Sequence, residues 1–101
     1  MSYQYNTDFM SYADHTSRLA AETVVAMLQG WSSPASVLDV GCAKGTWLSV
    51  WADAGVGNIH GVDGDYVDRK TLAIPGDCFS AADLSRGFDL SQRFDLVQSL
   101  E

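Results

Sequence analysis

The sequence predicts an α/β fold built on a doubly wound, mainly parallel sheet. Three observations carry this. Val37, Leu38 and Val40 form a short β-rich run that breaks into a turn of small residues, Gly41, Ala43 and Gly45. A helical pattern starts at once from Thr46, and a second β-rich run, Asn58–Asp63, follows it. Strand, helix and strand at this spacing make a βαβ unit with parallel strands.

Each element has a local reason. Tyr3, Tyr5, Phe9 and Tyr12 lie among Asn, Asp and Ser in residues 1–15, which read as an N-terminal arm over the core, ahead of one partial domain at 16–101. From about Thr16 to Gln29 the pattern is helical, with Ala20, Val24, Met27 and Leu28 on one face; Trp31 continues the stripe and Gly30 is placed to stop the helix. Pro34 then holds the chain extended ahead of the first strand. Trp47, Leu48, Trp51 and Ala54 recur at near-helical spacing before Gly55, where tryptophans fill the space between helix and sheet. Pro75-Gly76 marks a turn, residues 77–84 read as a third strand ending in an acid, and Leu96, Val97 and Leu100 suit a fourth, buried strand.

Composition narrows the function. Of 101 residues 47% are hydrophobic, enough for a real core, and the net charge of −7 with scattered Lys and Arg argues against a nucleic-acid backbone as partner. Cys42 and Cys78 are far apart, so neither a zinc ribbon nor a disulfide framework is indicated, and two small buried thiols fit a reducing cytoplasm. The first residues lack the basic and apolar regions of a signal peptide, and no apolar run approaches the roughly 18 residues of a membrane span. A soluble cytoplasmic protein without membrane contact is the expectation.

The bare backbone at Gly41, Ala43 and Gly45, with N–H groups at the start of the next helix, suits an electronegative ligand. Asp63 falls at the carboxyl end of the second strand, where open α/β sheets bind ligands, about 20 residues beyond the turn. One carboxylate there can accept both hydroxyls of a ribose. A ribose alone does not separate NAD from S-adenosylmethionine (SAM). The glycines do: a dinucleotide fingerprint begun at Gly41 would want glycine where the chain has Ala43 and Thr46.

Asp39 followed by Gly41-Cys42-Ala43-Lys44-Gly45 resembles motif I of the class I SAM-dependent methyltransferases, an acid two residues before G-x-G-x-G, with Ala43 in place of the central glycine. Gly61-Val62-Asp63-Gly64-Asp65-Tyr66-Val67-Asp68-Arg69 is similar to the segment after the second strand in a bacterial branch of that family. Phe94-Asp95-Leu96-Val97, followed by Ser99-Leu100-Glu101, resembles its fourth-strand motif. The resemblance covers the chain from about Tyr12 to Glu101. It implies a Rossmann-like fold, SAM as cofactor and methyl transfer to an acceptor, by family analogy a small molecule.

What the resemblance implies can be placed residue by residue. Asp39, Gly41, Ala43 and Gly45 would flank the methionine end of SAM, Asp63 with Gly64 the ribose, Asp83 and Leu84 the adenine amino group, and Ser99 the methionine portion. Asp83 also reads as a turn or N-cap residue, and Asp65 and Asp68 as solvated acids at a helix start. His15 and His60 could serve as bases but read more simply as structural, and no metal is required. Related sheets have seven strands ordered 3-2-1-4-5-7-6, of which 3-2-1-4 are present, so the chain reads as the cofactor half of a longer domain. An apolar fourth-strand edge would then favour a homo-oligomer or a further covering segment. The catalytic residues, which in the family follow the fourth strand, stay unnamed. A SAM-binding module without turnover, and an NAD-binding oxidoreductase fragment, are the other readings.

Overall fold

The computed structural model describes residues 7–87, 90 and 92–99, with side chains from residue 16 onward. The elements run α1 (Thr7–Gln29), β1 (Ser36–Val40), α2 (Thr46–Asp53), β2 (Asn58–Asp63), β3 (Phe79–Ala81) and β4 (Leu96–Gln98). The four strands form one parallel sheet in the order β3-β2-β1-β4, as the α/β pattern and the family resemblance both required. In register, Asp39 lies between Gly61 on β2 and Gln98 on β4, and Asp63 lies beside Ala81 on β3.

The core sits between the two helices and the sheet. Leu48 and Trp51 of α2 are fully buried with Val37, and the Trp51 indole N–H, which needs a partner once out of water, donates to Oε1 of Gln98 at 3.2 Å. Among the described side chains of α1, Ala21 and Val25 are buried and Leu28 is partly buried. The expected stripe was therefore rotated by one residue: Ala20 and Met27 face solvent. At this rotation Arg18 reaches Asp53 at 2.6 Å and Ser49 at 3.2 Å, and Gln29 donates to the carbonyl of Ala54 at 3.2 Å.

Several boundaries differ from the sequence reading. Helix α1 begins at Thr7, so residues 7–15, assigned to an arm, form its first turns, while Tyr3 and Tyr5 lie outside the described residues. Ser and Thr are tolerated in helices when they bond a carbonyl one turn back, as Thr23 does to Leu19 at 3.0 Å. Trp31 is 80% exposed because the helix ends at Gln29 and the chain turns there, with the N–H groups of Trp31 and Ser32 donating to the Leu28 carbonyl. Ala54 is the exposed C-cap of α2 rather than part of its apolar face.

The third strand is shorter than residues 77–84. Gly76–Cys78 forms a 3₁₀ turn after Pro75, and pairing stops at Ala81 because β2 itself ends at Asp63. Another 3₁₀ turn, Arg69–Thr71, lies between β2 and β3, with Asp68 as its cap accepting the Lys70 N–H at 3.0 Å. The fourth strand is not fully buried: Val97 is 58% exposed, since β4 is a sheet edge with β1 as its neighbour among the described residues. Leu100 and Glu101 lie outside them. Asp95 ties this edge to β1, accepting the Ala35 N–H at 2.8 Å while its own N–H donates to Ser36 Oγ at 2.8 Å. Among the described residues no helix is long and apolar enough to cross a membrane.

Candidate functional site

The site begins with Asp63, the last residue of β2 and only 2% exposed. A buried carboxylate must be hydrogen-bonded, and this one is held by three donors. Oδ2 accepts the Ala43 N–H at 2.7 Å; Oδ1 accepts the Gly64 N–H at 2.8 Å and the Tyr66 hydroxyl. Burial alone would raise the pKa of Asp63, but the Tyr66, Gly64 and Ala43 donors together outweigh it and hold the group below its ordinary value. It is an anion at neutral pH.

The small-residue turn is locked onto the end of β2. The N–H groups of Gly41 and Cys42 both donate to the Val62 carbonyl, at 2.8 and 3.2 Å, and the Gly45 N–H donates to Cys42 at 2.9 Å. Gly41, Ala43 and Gly45 all have left-handed backbones, with φ of 80°, 50° and 86°. That is why small residues recur here: each alternate position needs a conformation in which a side chain is penalised. Gly45 has a second reason, since a Cβ there would lie 2.9 Å from Ile74. Its bareness serves packing as well as any ligand.

Beyond the paired ends of β2 and β3 lies a cleft of about 610 Å³, walled by Gly64, Tyr66, Ala82, Asp83 and Leu84 with the buried Asp63 at its base. A volume of this size suits a nucleoside. Asp83 stands on its exposed rim, where Oδ1 accepts the Ser85 N–H at 3.0 Å and its hydroxyl at 2.6 Å, and Oδ2 lies 3.4 Å from Arg86. The two Ser85 bonds hold its pKa below the ordinary value. The turn role foreseen for Asp83 is thus present, on a side chain that also borders the cleft.

The structure therefore brings together Asp63, Gly64, Asp83 and Leu84 in one cleft. Asp39, Gly41, Ala43 and Gly45 are not among its walls; Ala43 joins them through its bond to Asp63. Asp39 is 3% exposed beneath the turn, and Ser99 follows β4 beyond the Asp39–Gln98 pair. His60 is bound to Ser80 at 2.8 Å, and burial pushes its pKa down, as suits a structural histidine. The side chain of His15 lies outside the described residues. Tyr66 and Ser85 had no role in the sequence reading. Tyr66 had been visible as the third residue after Asp63, within reach of its carboxylate once the chain turns at Gly64.

No curated protein and no solved structure matches the chain. The methyltransferase domain family matches residues 12–101, nearly the whole length, and the chain belongs to that family.

Proposed function

We propose that the chain is the cofactor-binding part of a SAM-dependent methyltransferase acting on a small-molecule acceptor. The observation that carries this is the buried, anionic Asp63 at the base of a nucleoside-sized cleft. The residues present fit the adenosine portion of SAM: an oxygen of Asp63 accepts from ribose, Asp83 accepts from an exocyclic amine, Leu84 offers an apolar wall, and Gly64 leaves room for close approach. SAM, when bound, supplies a methyl group already activated by its sulfonium. The chain's own task is to hold the nucleoside in one orientation, so that an acceptor atom meets the methyl in line, and to keep the turn from Gly41 to Gly45 open beside it.

The net charge of −7 leaves the reading without nucleic acid as acceptor, and no metal enters it. Asp39, Gly41, Ala43, Gly45 and Ser99 are assigned to the methionine end by family resemblance. The exposed edge of β4 is the surface through which a second copy or a further strand would extend the sheet.

Calorimetric titration with S-adenosylhomocysteine, with NAD as control, tests the reading. Saturable binding of the first ligand alone is expected, weakened several-fold in Asp83→Ala by loss of one hydrogen-bond acceptor. Binding of NAD instead would move the chain to the oxidoreductase class. A folded chain that binds neither would remove the cleft from cofactor binding.

A further inference from the structure

The lone pairs of Asp63 can be counted. A carboxylate offers about four acceptor positions, two on each oxygen. Oδ1 already takes the Gly64 N–H and the Tyr66 hydroxyl, and Oδ2 takes the Ala43 N–H. The two backbone donors belong to the turns that make the site. Only Tyr66 comes from a side chain that can leave, and its residue is 75% exposed although its hydroxyl reaches a buried acid. The Cδ1–Cε1 edge of its ring lies against Gly64, where a Cβ would meet Cε1 at 2.4 Å and Cδ1 at 2.6 Å. Glycine at 64 is what permits the tyrosine to fold back over the acid.

We propose that Tyr66 is a gate on the ribose position. This rests on the reading of the cleft as a nucleoside site. A ribose diol needs two acceptor positions on Asp63, and one is open while the tyrosine is in place. The Tyr66 hydroxyl imitates one sugar hydroxyl in the free protein; the diol displaces it, and the phenol turns its hydroxyl out to water while the ring, already a wall of the cleft, stays beside the ligand. The free protein thus keeps its buried anion satisfied, and a ligand bearing both hydroxyls opens the gate, whereas one lacking them gains nothing from doing so.

The test uses the whole chain and two probes, adenosine and 2′,3′-dideoxyadenosine, titrated into the parent and Tyr66→Phe, with folding checked by circular dichroism. Tyr66→Phe removes the competing hydroxyl and keeps the ring, so adenosine should bind on the order of 3- to 10-fold tighter while the dideoxy compound is unchanged. Equal or weaker adenosine binding by Tyr66→Phe would overturn the gate, as would an equal gain for both probes, which would mean better ring packing. The nucleoside reading is scored separately: Asp63→Ala should lose adenosine binding whatever Tyr66→Phe does. If the folded parent binds no adenosine, the reading falls, and the gate with it.

Discussion

Ala43 holds a left-handed backbone, φ 50°, while its N–H donates to Oδ2 of Asp63 at 2.7 Å. The two belong to different strands' ends, 20 residues apart, and the bond joins the small-residue turn to the second-strand acid. Both features that the sequence marks as functional are therefore one mechanical unit. What moves the turn moves the carboxylate.

Ala43 occupies the position where the family resemblance wants glycine, and its conformation is the reason. An alanine there carries the steric penalty of a left-handed residue. Ala43→Gly should stabilise the fold by about 0.5–1 kcal/mol, the strain relieved less the extra freedom of glycine in the unfolded chain. Urea denaturation would register it as a higher midpoint at unchanged slope; a lower midpoint would mean that the alanine methyl contributes packing that outweighs its strain.

The fold was legible where one short-range rule decides. Residues 58–63 form a short β-rich run that ends at an acid before glycine, and β2 has those bounds; the tryptophan at 51 sits fully buried as helical spacing demands. Legibility failed where a neighbour decides. Which face of α1 is buried depends on its packing against α2, where Ala21 and Val25 join Leu48 and Trp51 in one core, and the composition of α1 allows either of two adjacent stripes. In the site, Asp63 was legible from its place after a β-rich run. The hydroxyl of Tyr66 on it was not, because that bond follows from the turn at Gly64 rather than from any repeating pattern.

Gly61 and Cys42 form the tightest approach beneath the turn. A Cβ on Gly61 would lie 2.5 Å from the Cys42 sulfur and 3.0 Å from Leu48. Burial, then the carboxylates of Asp39 and Asp63, push the Cys42 thiol up to about 12, so it packs as a small neutral group. Gly61→Ala should therefore cost about 1–3 kcal/mol through overpacking. Adding Cys42→Ala removes the worst contact, and the double variant should be more stable than the sum of its single changes implies, by about 0.5 kcal/mol or more. Strict additivity in denaturation would show that the strand shifts instead of pressing on the sulfur.

Asp63 should make stability depend on pH in a defined direction. Its folded pKa lies below the ordinary 3.8, so between the two values the unfolded chain binds more protons and stability rises with pH. The contribution is complete above the unfolded value and is lost as pH falls through the folded one. Asp63→Asn keeps the shape but sets an amide NH₂ against groups that are themselves donors, from Gly64 and Tyr66 or from Ala43. At neutral pH that variant should be less stable by about 1–3 kcal/mol, the cost of buried donors without acceptors. Below about pH 4 the parent begins to lose its advantage, and the gap to the variant should narrow. Urea titrations of both proteins across this range measure the gap directly. A constant difference would mean that Asp63 titrates alike in the folded and unfolded states, and that its three donors stabilise the acid no better than water does.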